Sequence, residues 1–228
     1  MLTNGKKLWM RKCMHWEKMR PMTLPPCLQI EMQWGGRWVY NIKLGPNNEE
    51  QYKARFVAKG YSQIPDIDYQ ETFSPTARMA SIRTLMQIAV QHDLTVHQMD
   101  VKTAFLNAPI DCELYVEQPE GYEIKSKNDE KLVLRLKKSL YGLKQSGRNW
   151  NHTLHTYLIE QGYSQSRTDS CVYKKHSEGQ PDDYTIVVIW VDDLLLARKH
   201  ESTMTNEKDT QTKVSHERSW QNKLVLRH

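Results

Sequence analysis

Three aspartates carry the strongest chemical suggestion in this sequence. Asp100 closes a stretch, Leu94–Asp100, that reads as a strand; Asp192 and Asp193 follow a far more apolar one, Tyr184–Val191. A carboxylate at the end of a buried strand is costly unless it is paired, hydrogen-bonded or holding a cation. Hard oxygen ligands suit magnesium. Two magnesium ions about 4 Å apart can activate an attacking oxygen and stabilise a leaving one, which is what nucleotidyl transfer requires. The competing reading is structural, because Asp is a favoured turn residue and an Asp-Asp pair between apolar segments is also a good hairpin turn. Residue type alone leaves both open.

A second chemical signal is a cluster of cations. Residues 131–150 contain Lys131, Arg135, Lys137, Lys138, Lys144 and Arg148 without one acid, and Tyr141 and Trp150 interleave with them. Such a stretch can neutralise phosphates and offer rings for base stacking; it can equally be a solvated helix face. His152 and His155 stand three residues apart on a helical pattern, but no third ligand accompanies them, so they read as surface histidines.

The elements that must position these residues follow from periodicity. Arg37–Lys43 alternates Trp38, Tyr40 and Ile42 with polar partners and reads as a strand. A turn signal at 45–48 separates it from a second strand, Tyr52–Ala58, giving a hairpin. Residues 60–75 are irregular, broken by Pro65 and Pro75. Met79, Ile82, Leu85, Met86 and Ala89 fall at helical spacing and predict a helix over about 77–92. Strands are expected at Leu94–Asp100, Asp111–Gln118, Lys131–Lys137 and Cys171–Lys174. Trp150, Leu154, Tyr157 and Leu158 lie on one face of a helix that ends near Gly162. Tyr184–Val191 is apolar on both faces, as a buried central strand should be. Leu194–Ala197 would return beside it, with Asp192 and Asp193 at the turn.

Composition bounds the class. The 228 residues are 39% hydrophobic and 26% charged, ordinary values for a globular protein. The net charge of +5 sits mostly at the ends: residues 34–199 hold 21 basic and 21 acidic side chains and are neutral. The longest apolar run is too short to span a membrane, and no apolar segment follows the basic N-terminus, so neither a membrane span nor a secretion signal is expected. Cys13, Cys27, Cys112 and Cys171 are scattered. They predict reduced thiols in the cytosol or nucleus rather than a disulfide framework or zinc site.

Five blocks in order give the sequence its resemblance: GGRWVYNIK, YKARFVAKGYSQIPDIDYQETFSP, HQMDVKTAFLNAPIDCELYVEQPEGYE, KSLYGLKQSGRNWN and VIWVDDLLLA. Together they resemble the successive blocks of copia-type retrotransposon reverse transcriptases over about Gly35 to Ala197. The resemblance implies an α+β fold, the fingers and palm of a right-hand polymerase, with a split βαββαβ sheet covered by helices on one face and no thumb. It implies templated transfer of deoxynucleotides to a primer 3′-OH, with RNA or DNA template-primer and dNTPs as partners. Asp100, Asp192 and Asp193 match the catalytic aspartates, expected to hold two Mg²⁺ ions; Asp192 is expected to ligate directly and Asp193 to assist. Lys53 and Arg55 match the pair that closes on the incoming triphosphate, a task suited to the planar fork of arginine. Phe105 matches the bulky residue that rejects a ribose 2′-hydroxyl. Tyr141 and Gly142 match the block beside the incoming nucleotide, where glycine lets the backbone approach closely. Lys144, Gln145 and Arg148 match residues near the template and primer. Gly147 stands where the family usually has proline. Glu71 lies in a matching block and is assigned no chemistry.

The ends depart from the family. Residues 1–33 keep only fragments such as HWEKM and MTLPP and are expected to be poorly ordered; residues 200–228 form an atypical polar tail. The reverse transcriptase domain is expected at 34–199, with the break points resembling reading-frame slips or mispredicted exon ends. No ribonuclease H, integrase or protease segment is recognised. Two rivals follow: a decayed or co-opted fragment that binds nucleic acid without catalysis, and an unstable relic. A phosphorelay receiver also combines an Asp pair with a single Asp, but its pair comes first in the chain.

Overall fold

The computed structural model describes residues 34–44, 47–124, 132–177, 180–199 and 226–227. The expectations for residues 1–33, and for all of the tail but its 226–227 segment, lie outside the described residues. The fold is α+β, mostly sheet with few helices. The chain divides into two units that interleave along the sequence. One comprises 1–73 and 108–150, the other 74–107 and 151–228.

In the first unit, strands β1 (Gly36–Leu44) and β2 (Glu50–Ala58) form the expected hairpin, in register from Gly36 opposite Ala58 to Leu44 opposite Glu50. The alternation seen in the sequence organises only its base. There the Trp38 ring stacks on Tyr40 and meets the edge of Phe56, and its indole N–H donates to the Glu120 carbonyl. Towards the tip the pattern lapses, and Ile42 and Leu44 are exposed. A second ladder pairs β4 (Tyr115–Glu117) with β5 (Val133–Arg135). Both are shorter than the sequence suggests. Trp34 joins this ladder by bridging Val116, with N–H and C=O both used. Leu114, Val116, Val133, Leu140 and Trp150 are among the buried residues of this unit.

The second unit is built on a six-stranded sheet, ordered β10-β3-β9-β8-β7-β6 with every neighbouring pair antiparallel. Its strands are β3 (Leu94–Val101), β6 (Ser164–Gln165), β7 (Val172–Ser177), β8 (Gln180–Trp190), β9 (Asp193–Lys199) and β10 (Leu226–Arg227). Val187, Val188, Ile189, Leu194 and Ala197 are buried, so β8 and β9 form the apolar centre that the unbroken hydrophobic run predicts. Helix α1 (Met79–Gln91) falls within the predicted span. Its buried residues, however, are Leu85 and Ala89, whereas Met79 and Met86, expected on the packed face, are exposed. Helix α2 (Ser146–Glu160) contains the unit boundary after Trp150. In its second half Leu154, Tyr157 and Leu158 are buried, and the helix is followed by Gly162 at φ 82°, the predicted C-terminal glycine. Strands β6 and β10 had no periodic signal: each is two residues long.

Among the described residues, Cys112 and Cys171 are free thiols, and no helix is long and apolar enough to cross a membrane.

Candidate active site

The second unit holds the carboxylates. Strand β3 runs antiparallel to β9, and the register sets Asp100 directly opposite Asp193. Directly opposed residues of an antiparallel pair lie on the same side of the sheet with Cβ atoms about 5 Å apart. On the other flank of β9, Trp190 is the partner of Asp193. Asp100, Asp193 and Trp190 therefore form a row across three strands, and Trp190 is 44% exposed. The loop between β8 and β9 is only Val191 and Asp192. The hairpin turn thus lies one residue earlier than the sequence reading placed it: Asp193 is already in the ladder, and Asp192 takes the corner. The Asp192 carbonyl accepts a hydrogen bond from the Val101 N–H at 2.8 Å, which fastens the corner to the end of β3. Asp193, expected only to assist, is thus the residue that faces Asp100.

Two neighbours of this row had no motif to announce them. Gln98, two residues before Asp100 and so on the same side of the strand, donates from Nε2 to Asp193 Oδ1 at 3.3 Å. Val191 adopts φ 56°, a conformation that β-branched residues rarely take. After β3 the chain turns through Thr103, also at positive φ, into a short 3₁₀ turn, Ala104–Asn107, that carries Phe105. Phe105 is half-buried there, not a core residue.

Among the described residues no group of three or more His, Cys, Asp or Glu side chains is arranged to hold a metal ion. The donor chemistry of the Asp100–Asp193 pair still fits a divalent cation. Both are hard oxygen ligands, and like charges at directly opposed positions repel unless a cation compensates.

The first unit holds the cations. Lys53 and Arg55 alternate along β2 and therefore share a side of the hairpin. The Arg55 guanidinium lies 5.6 Å from the centre of the Tyr141 ring. Tyr141 is fixed in turn by its carbonyl, which accepts from the Ala58 N–H at 2.8 Å. Next in sequence, Gly142 sits at φ 93°, and a Cβ there would lie 2.1 Å from the Ala58 carbonyl oxygen. A side chain is thus excluded both by conformation and by space. Lys144 is exposed, and its ammonium lies over the Tyr69 ring at 5.0 Å, within reach of the Tyr69 hydroxyl at 3.2 Å. Arg148 pairs with Glu71 at 3.1 Å and approaches Asp111 at 3.9 Å, so much of its charge is answered inside the unit. Gln145 is fully buried. His155, set aside as a ligand from its spacing, shares a hydrogen bond with the Tyr173 hydroxyl at 2.9 Å.

The chain matches the family described as reverse transcriptase (RNA-dependent DNA polymerase) over residues 29–219. It belongs to that family. Within it, the relatives are of the copia type. The chain is 41% identical over 174 residues to the retrovirus-related Pol polyprotein from transposon TNT 1-94 of Nicotiana tabacum, 75% of this chain and 13% of that protein. It is 39% identical over 173 residues to the corresponding polyprotein from transposon RE2 of Arabidopsis thaliana, 75% of this chain and 11% of that protein. A more distant relative is the transposon Ty1-DR4 Gag-Pol polyprotein of Saccharomyces cerevisiae, 37% identical over 150 residues, 65% of this chain and 9% of that protein. This reverse transcriptase segment therefore spans 13% or less of the length of these relatives.

Proposed function

We propose that this segment is the nucleotide-adding part of a copia-type retrotransposon polyprotein, extending a primer 3′-OH with dNTPs on an RNA or DNA template. The single observation that carries the reading is the row of Asp100 and Asp193 on paired strands, within a chain that belongs to the reverse transcriptase family. In this reading the second unit is the palm and the β1–β2 hairpin belongs to the fingers. Asp100 and Asp193, with Asp192 at the adjoining corner, would hold Mg²⁺. The bound ions supply activation of the primer hydroxyl and neutralisation of charge on the leaving group. Gln98 orients the Asp193 carboxylate by its 3.3 Å hydrogen bond. Lys53 and Arg55 bind the triphosphate, with Arg55 pre-oriented against Tyr141. Phe105 bounds the sugar and excludes a 2′-hydroxyl. Gly142 leaves room for the nucleotide to approach the backbone, and Lys144 meets phosphate. Ribonuclease H and integrase functions fall to other parts of the polyprotein, and the setting is intracellular.

The test is primer extension on poly(rA)/oligo(dT) with magnesium, comparing the wild-type chain with an Asp192→Asn/Asp193→Asn double variant. Extension by wild type alone is expected. Equal behaviour of the two chains, or no extension by a folded wild type, removes the catalytic assignment. The second reading, binding without catalysis, is favoured by the exposed Lys144 and Arg55 beside two tyrosine rings. It predicts salt-dependent binding that survives loss of the aspartates.

A further inference from the structure

We infer that Gln63 and Gln145 are positioning residues, a buried pair of amides that holds the Tyr141–Lys144 loop in place for its phosphate ligand. The inference rests on the polymerase reading above, and it gives Gln145 a different task from the template contact expected of it. Gln145 has no exposed surface, and Gln63 is 4% exposed. Their hydrogen bonds form a chain. The Gln63 Nε2 donates to Gln145 Oε1 at 3.1 Å, and the Gln145 Nε2 donates to the Asp68 carbonyl at 3.0 Å. The remaining polar atom, Gln63 Oε1, accepts the Lys144 backbone N–H at 2.8 Å. The far end of the chain is itself anchored, because the buried Asp68 carboxylate accepts the Ile64 N–H.

This arrangement does more than fill space. A buried amide must satisfy both its oxygen and its nitrogen, and here each choice is made by a different stretch of chain. The 60–69 loop contributes Gln63 and Asp68; the 140–145 loop contributes Gln145 and the Lys144 N–H. The two loops also touch at Gly60, where a Cβ would lie 1.9 Å from the Gly142 carbonyl oxygen. On this seat the Tyr141 ring lies against the Arg55 guanidinium and the ammonium of the exposed Lys144 lies over the Tyr69 ring. Gln63 thus acts through Lys144 without contacting a ligand.

The test is a double-mutant cycle on the full chain, reading the dissociation constant for dTTP with magnesium by tryptophan fluorescence, together with the melting temperature. Gln63→Leu is expected to weaken dTTP roughly tenfold, the size of one well-made hydrogen bond. Lys144→Ala in that background should add little, because Gln63 works through Lys144. Gln63→Glu keeps the acceptor for the Lys144 N–H but turns the buried donor to Gln145 into a second acceptor, and should not restore the affinity. Should Gln63→Leu not fold, Gln145→Met carries the same cycle, since it removes the anchor of Gln63 and spares the Lys144 bond. Additive losses, or a lowered melting temperature with unchanged affinity, overturn the inference and leave the polymerase reading standing. A folded wild type that binds no dTTP sinks the reading and the inference together.

Discussion

Asp100 and Asp193 present like charges to each other across the β3–β9 ladder, and the turn that leads from β8 into Asp193 is held in a conformation its residue type resists. Val191 at φ 56° costs about 1–2 kcal/mol relative to an ordinary backbone. Strain of this kind gathers at functional sites, where the surroundings over-determine it. Val191→Gly removes the steric part and adds chain entropy to the unfolded state. The expected net effect is a gain of about 0.5–1 kcal/mol in urea unfolding; a loss of stability would mean that the Val191 side chain contributes packing that outweighs the strain. The pair of aspartates was legible in the sequence, and so was the hairpin that carries it. The one-residue placement of the turn was not. Apolar periodicity says that two strands are joined but not which residue takes the corner, where the Asp192 carbonyl is fastened by the Val101 N–H. The task of Gln98 was hidden for the same reason: it depends on which residue β9 places across from Asp100.

At the scale of elements, α1 illustrates what periodicity can and cannot supply. Its span was readable, but its buried face was not, because the stripe of apolar residues is wider than the part its neighbours cover. Nor was its N-terminal anchor. The helix begins after Arg78, which offers no capping side chain. Asp169, far along the chain, accepts from the Arg78 N–H at 2.9 Å and the Ser81 hydroxyl at 2.6 Å, and its other oxygen accepts the Cys171 N–H. Burial pushes the Asp169 carboxyl upward, but the Ser81 hydroxyl, the two backbone N–H groups and the Arg78 charge outweigh it and hold the pKa below the ordinary carboxylate value. A depressed folded pKa stabilises the fold fully above the unfolded value of about 3.9 and ceases to do so as pH falls through the folded value. Asp169→Ala should therefore cost about 1–3 kcal/mol at pH 7, with the gap from wild type closing below about pH 4. Urea midpoints measured at pH 7 and pH 3 check this, and a constant gap would show that packing, not the carboxylate, is responsible. Strand β10 is a further element that periodicity did not reveal, pairing Leu226 with Val101 and Arg227 with Asp100. Two residues leave no period to read.

On the scale of the whole molecule, the division into units is the property least accessible to sequence reading. The blocks of family resemblance run continuously from Gly35 to Ala197, but the units do not follow the chain. Lys53 and Lys144 belong to one unit, and Asp100 and Asp193 to the other. Hydrogen exchange on the intact chain should reflect this. Amides of 34–73 are expected to open together with those of 108–150, and amides of 74–107 with those of 151–199. One common opening free energy for all four stretches would show that the units are a single cooperative body.

The interleaving also fixes an order of events during synthesis. Everything the first unit needs has been synthesised once Trp150 is made. Strand β3 is older than that, yet its partner β9 begins only at Asp193. At ordinary elongation rates the intervening chain of about 90 residues takes roughly 5–20 seconds to emerge. For that interval the strand bearing Asp100 has no β9 to pair with, while the 140–145 loop of the first unit can already be folded. The nascent chain thus acquires its cationic half first and its carboxylate pair last, and a chaperone that shields β3 during those seconds would raise the yield of folded protein more than one acting after release.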